Sequence, residues 1–264
     1  MAMVMRRSVV YVILIILGCG IAASIWYARK QNTFMFTVDM PPGFKYKVAV
    51  YYVPAPGETC TVATKDNLAP TFNYRWWQDY KPDFKVPIYR TRNGCPLVVK
   101  NIRLDIYGMY GKSWDDFGRS GAQVVFKKEL SDEIHREFFD ASGVSTFTGE
   151  CEWWFRTSGK TRVLRKLLNC KDLNQGRPSS RGVPIAAYTF DQLANKTIKM
   201  KVVMAKEETP YYKRAWVKFE DGWKRCMGEG FEDQHAFCDG NEKDFSHFIM
   251  SDGTPCTIYP GCTE

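Results

Sequence analysis

The chain has 264 residues and a formal net charge of +8, with 45% hydrophobic, 15% aromatic and 25% charged residues. Residues 31–264 exceed the usual single-domain size and allow one large β domain or two smaller ones. The basic excess does not mark a nucleic-acid surface. Arg6, Arg7, Arg29 and Lys30 supply half of it with no acid among them, and no Lys/Arg block interleaves with aromatics.

The first element is Val9–Tyr27, VVYVILIILGCGIAASIWY, which carries no charge. A run of about 20 apolar residues is long enough to cross a hydrocarbon core of roughly 30 Å as a helix. Trp26 and Tyr27 suit the membrane interface, and Arg6 with Arg7 favours a cytoplasmic N-terminus. The other reading is a cleaved signal, with a basic start, an apolar stretch from Val9 to Leu17 and then a small residue. Ile16-Leu17-Gly18-Cys19 resembles the bacterial lipobox, which makes Cys19 a lipidation candidate. Residues 1–30 are thus a membrane anchor or a lipoprotein signal. Either reading puts the remainder on the periplasmic side of a bacterial membrane.

Phe34, Phe36 and Val38 alternate as a short strand, and Pro41-Pro42-Gly43 turns the chain. Phe44, Tyr46, Val48, Val50 and Tyr52 then share one face of a strand, with Lys45 and Lys47 on the other. Residues 60–85 read as irregular and aromatic, with Phe72, Tyr74, Trp76, Trp77, Tyr80 and Phe84 among Asn, Asp and Pro. A strand follows Asn93-Gly94, with Ile102, Leu104 and Ile106 inward. Ser131 to Ala141 is expected to be a short helix capped by Ser131, with Ile134 and Phe138 on one face. Glu150–Thr157 and Thr161–Asn169 read as a hairpin around Ser158-Gly159, although Val163, Leu164, Leu167 and Leu168 also match helical spacing.

Lys171–Gly182 has linker composition, which sets a boundary between a β-rich region at 31–175 and a second β-rich, cysteine-rich region at 176–264. Thr197–Met204 and Ala215–Phe219 are further strands. Apart from Cys19, eight cysteines remain: Cys60, Cys95, Cys151, Cys170, Cys226, Cys238, Cys256 and Cys262. An even set at wide spacing on an exported chain reads as disulfides, and zinc is disfavoured because no C-x-x-C pair occurs. Spacing leaves the connectivity open. Sequence neighbours are the expected pairs: Cys60–Cys95, Cys151–Cys170, Cys226–Cys238 and Cys256–Cys262. From Asp221 onward the chain is so irregular that its order is expected to depend on disulfides. The expected class is mainly β: a disulfide-stapled, antiparallel β-sandwich-like domain with one or two short helices, following the anchor.

Catalytic motifs are sparse. Gly111-Lys112-Ser113 and Gly159-Lys160-Thr161 end like P-loops, but the preceding glycine is replaced by Ile106 and Trp154, so both read as turns. No G-x-S-x-G or H-E-x-x-H occurs. His135 reads as part of a solvated helical face. His235 and His247 stand among Asp233, Asp239 and Asp244 without metal or triad spacing. No cofactor, metal site or nucleic-acid partner is expected, nor enzymatic activity. The remaining signal is aromatic. Tyr74, Trp76, Trp77 and Trp114, with Asp115 and Asp116, fall in loop-like stretches, and Trp and Tyr dominate binding hot spots. Packing at one end of the sandwich is the alternative role for Trp76 and Trp77.

An anchor, an export-side β domain, disulfides and no catalytic motif together resemble the envelope-anchored periplasmic immunity proteins of type VI secretion effectors. The resemblance is one of architecture. It implies a protein partner such as a secreted lipase, inhibited when an aromatic patch occludes its active site. A structural or assembly lipoprotein of the envelope and a carbohydrate-binding or hydrolytic module are the alternatives.

Overall fold

The computed structural model describes residues 11, 14, 15, 18, 19, 32–60, 83–131, 136–173 and 182–263. Alternating apolar residues produce the strands that open the chain: β1 (Thr33–Asp39), β2 (Phe44–Pro54), β3 (Asp83–Pro87), β4 (Tyr89–Arg92), β5 (Cys95–Met109) and β6 (Phe117–Lys127). The hairpin β7 (Val144–Ser158) and β8 (Val163–Asp172) follows, then β9 (Ile185–Thr189), β10 (Thr197–Met204) and β11 (Thr209–Pro210). Short strands close the chain: β12 (Trp216–Phe219), β13 (Gly222–Cys226), β14 (Phe245–Ser246), β15 (Phe248–Ile249), β16 (Pro255–Cys256) and β17 (Ile258–Tyr259). Phe190–Gln192 and Lys213–Ala215 form 3-10 turns.

Two sheets enclose the main core. One runs β16-β15-β8-β7-β10-β1-β3, with β11 added to β7; the other runs β2-β5-β6-β9, with β4 on β5. Phe34, Phe36, Val48, Ile102, Leu104, Ile106, Val124, Phe147 and Met200 are among the side chains buried between them. The expected inward faces of β1, β2 and β5 are therefore the observed ones. The expected antiparallel pairing holds for β1–β3, β2–β5, β5–β6 and β7–β8 but not throughout. β10 lies parallel to both β1 and β7, and β9 is parallel to β6. An alternating pattern reports which face is buried and carries nothing about strand direction. Because β10 sits between β1 and β7 while β9 extends the second sheet, the sandwich takes strands from both sides of the boundary placed at residue 175.

Local expectations were overturned at two places, and at a third the sequence carried none. Residues 136–140 are not helical: the Glu137 N–H donates to Ala187 O at 3.0 Å and Gln192 Nε2 donates to Glu137 O at 2.8 Å, so tertiary partners satisfy this backbone. Ile134 and His135 lie outside the described residues. Phe84, read as irregular, is a buried strand residue 5.4 Å from Phe36. β6 carries no sequence expectation, because Gly118 and Gly121 blur its alternation. Those glycines are needed for space. Gly118 pairs with Gly108 across the sheet, and a Cβ on Gly118 would lie 2.5 Å from Trp153 Cζ3 and 2.7 Å from Leu168 N. Trp153 thus fills a slot made by two glycines, while its neighbour Trp154 faces the other way, toward Tyr211.

All four expected disulfides are present, and Cys151–Cys170 joins directly opposed residues of β7 and β8 inside the main core. β7 continues past the sandwich and inserts Phe155 into a second core with Trp216, Phe248 and Tyr259. Two buried arginines organise the segment around it. Arg225 Nε donates to Thr157 Oγ1, and its Nη atoms donate to the carbonyls of Ala215, Gln234, Ala236 and His235 at 2.7–3.3 Å. Arg162, 1% exposed, donates to Ser246 Oγ and to the carbonyls of Cys226, Met227, Gly230 and Asp233. Each guanidinium gives otherwise loop-like backbone the partners that a sheet would supply. Burial pushes Arg225 down to about 10, and the positive charge of Arg162 adds to the fall. The tail therefore rests on a core and two cations as well as on its disulfides.

The sandwich has two distinguishable ends. At one, the Asn195 N–H donates to Thr33 O, and Lys127 at the end of β6 pairs with Thr189. At the other, about 33 Å away along the strand, Phe117 begins β6 after the β5–β6 turn. Of Val9–Tyr27, the described residues are Tyr11, Leu14, Ile15, Gly18 and Cys19, which are helical and exposed, with Cys19 a free thiol. Among the described residues, no helix is long and apolar enough to cross a membrane.

Candidate binding site at the hairpin tip

Residues 110–116 close the β5–β6 hairpin, and their geometry centres on Asp116. Its carboxylate is buried at 1% exposure and accepts the Ser113 N–H at 3.1 Å. The Asp116 N–H donates to Ser113 O at 3.1 Å, and the Tyr110 N–H donates to Asp116 O at 3.0 Å. Gly111 is required sterically, because a Cβ there would lie 2.2 Å from the Asp116 carboxylate. From β8, Arg165 reaches Asp115 at 3.2 Å and Asp116 at 3.4 Å. A hydrogen bond with Tyr110, together with both carboxylates, holds Arg165 above its ordinary value. Asp115 is held below the usual carboxylate range, first by the Ser113 side chain and also by Arg165.

This network has one outward product. Trp114, between these anchored residues, is 86% exposed. Expected together as partner-binding residues, Trp114, Asp115 and Asp116 have separate placements: Trp114 points out, Asp115 pairs with Arg165 at the rim, and Asp116 is inside the turn. Asp116 is therefore withdrawn from any contact surface, because its carboxylate is used up by the turn. Tyr74, Trp76 and Trp77 lie outside the described residues.

Beside the tip, Phe117 is 40% exposed and sits 6.1 Å from Tyr107 on the outer face of the second sheet. Lys45, Lys47 and Arg119 surround the Tyr107 ring at 5.7–5.8 Å. Asp105 offsets part of this charge, 2.9 Å from Arg119 and 3.9 Å from Arg103. Lys45 is held below the ordinary lysine value by burial and then by Lys47. Sequence reasoning missed Arg165 and Tyr107 as parts of this surface. Arg165 follows Asp116 by 49 positions, and no local pattern connects them.

Of the residues weighed for catalysis, Asp233, His235 and Asp239 line one surface cavity. The Asp233 carboxylate accepts the backbone N–H of His235 at 3.0 Å, while the His235 ring stacks on Phe237 at 5.4 Å. His247 lies against Phe231 at 4.9 Å. Among the described residues, no three His, Cys, Asp or Glu side chains are placed to hold a metal ion. Gly111-Lys112-Ser113 and Gly159-Lys160-Thr161 both lie in turns. Comparison with protein-family models, curated proteins and solved structures finds no match for the chain.

Proposed function

We propose that this chain is a membrane-tethered binding protein of an oxidising compartment, the periplasm of a bacterium, and that the β5–β6 hairpin tip seats a protein partner. One observation carries the reading: Trp114 is 86% exposed on a backbone fixed by Asp116 and Arg165. A large ring presented by a rigid turn loses little conformational entropy when it is covered, which is the property of hot-spot residues. Four disulfides suit export to an oxidising environment. The apolar run at 9–27 supplies the tether, as a spanning helix or through lipid on Cys19. Such a tip acts by shape and contact, so the partner we infer is a secreted toxic effector, a lipase among the candidates, whose active-site mouth the hairpin covers.

The test is affinity capture with the full chain in detergent under oxidising conditions, comparing wild type with Trp114→Ala. The expected result is one secreted hydrolase-like partner held by wild type and weakened about thirtyfold or more in the variant, a hot-spot loss of about 2 kcal/mol. Unfolding should move by less than about 0.5 kcal/mol, as at other exposed positions. Equal capture by both proteins, or recovery of envelope assembly components alone, overturns the proposal.

A further inference from the structure

Only a short spacer separates the apolar run from the fold. Tyr27 ends the run and Asn32 opens the described sandwich; five residue steps reach at most about 18 Å when extended. Asn32 is fastened to the sandwich. Its side-chain amide donates to Tyr89 O and its side-chain oxygen accepts the Tyr89 N–H, both at 2.9 Å, while its backbone O accepts the Ile88 N–H at 2.8 Å. The end of the sandwich around Tyr89 therefore lies within about 18 Å of Tyr27.

That end has a distinctive surface. Tyr89 is 50% exposed and Phe138 is 71% exposed. Phe138 belongs to the same end because the neighbouring Arg136 donates to Thr189 Oγ1 and Gln192 Oε1, both at 2.8 Å, where the chain turns from β9 toward β10. Arg90, Lys127, Lys128 and Arg136 are exposed at the same end, with Arg136 5.9 Å from the Phe138 ring. Among the described residues, Glu58, Glu129, Asp140 and Asp191 are exposed acids at this end. Asp191, 77% exposed, lies 3.9 Å from Arg136 and offsets part of its charge, while Asp140 accepts the Val144 N–H and the Ser142 hydroxyl. Exposed rings flanked by cations match a bilayer interface, where aromatics sit at headgroup level and Lys/Arg face anionic phosphates.

We infer that the end of the sandwich carrying Tyr89 and Phe138 rests on the membrane entered by Val9–Tyr27, with Arg90, Lys127, Lys128 and Arg136 against anionic phospholipid headgroups. The inference rests on the spanning reading of that segment. It orients the whole protein: the Trp114 hairpin, at the opposite end of β6, faces away from the bilayer and toward an arriving partner.

The test reconstitutes the full chain into vesicles of phosphatidylcholine, alone or mixed with phosphatidylglycerol, containing a phospholipid with a photoreactive headgroup. Crosslinked peptides are mapped by mass spectrometry. Label is expected on residues 89–92 and 127–140, more strongly with phosphatidylglycerol, and absent from the peptide carrying Trp114. Tyr89→Ser/Phe138→Ser, two exposed positions, should lose most of that label while the chain remains in the bilayer. A chain that resists alkaline carbonate extraction yet takes label at Trp114, or nowhere beyond residue 32, overturns the orientation. Release of the chain by carbonate overturns the spanning reading itself.

Discussion

Replacing Arg225 with Met would remove the five hydrogen bonds that this guanidinium gives to Thr157, Ala215, Gln234, Ala236 and His235. Methionine fills much of the volume but donates nothing, and the carbonyls of Ala215 and Ala236 would lose this donor in a buried setting. Hydrogen bonds to a charged donor are worth about 1.5–3 kcal/mol each, against which the variant recovers the several kcal/mol needed to desolvate the cation. The expected balance is a loss of about 3–5 kcal/mol, as for other buried charged groups deleted from their partners. Arg225→Lys should recover less than half, since an ammonium has three donors and no planar fork. Urea unfolding followed by Trp fluorescence reports the loss, because Trp216 packs on Phe155 at 4.9 Å and faces the Arg225 guanidinium at 5.7 Å. Limited proteolysis should cut residues 227–244 first. A loss below about 1 kcal/mol, with the tail still protected, would refute the role assigned to this cation.

Gly118→Ala should cost about 1–3 kcal/mol by driving a methyl into Trp153 and the Leu168 backbone. Gly261→Ala, with nothing within 4 Å, is the near-neutral control in the same melts. Converting Cys226 and Cys238 together to Ser should remove about 2–4 kcal/mol by freeing the unfolded chain, measured without reductant against wild type. Asp233 is held below its ordinary value, first by the Ala236 N–H and then by the N–H groups of Glu229 and His235, with Arg162 adding to the effect. A lowered folded value gives stability that is present above the unfolded value, near pH 3.9, and lost as pH falls through the folded one. Asp233→Asn should therefore flatten the acid limb of the stability–pH profile below about pH 4; an unchanged limb would show that Asp233 is not linked to folding.

Much of the scaffold was legible because a half-buried strand leaves a period of two in the chain. Phe34-x-Phe36-x-Val38, the alternation from Phe44 to Val50, and Ile102-x-Leu104-x-Ile106 each named their buried face. Parity set Cys19 aside and left eight cysteines free to pair; it did not select among their pairings, and the structure joins sequence neighbours. Where glycines replaced side chains, as at Gly118 and Gly121 in β6, the period vanished, although the strand was held by neighbours on both sides. The helix expected from Ser131 failed for a related reason. The weak local preference of residues 136–140 was outweighed by hydrogen bonds to Ala187 and Gln192, some fifty residues away.

The amino-acid sequence alone determined the buried faces of β1, β2 and β5, the even set of eight cysteines and the apolar segment that precedes them, since each is written in residue type and short spacing. Only the tertiary structure decided strand direction, disulfide connectivity, the continuation of β7 into a second core, and the opposite fates of Trp114 and Asp116, two positions apart. Those outcomes depend on which distant groups arrive. Arg165 reaches the hairpin from another strand, and Arg162 and Arg225 gather carbonyls from a segment with no periodicity of its own. A guanidinium satisfies whatever acceptors surround it, and their identity is a property of the folded chain.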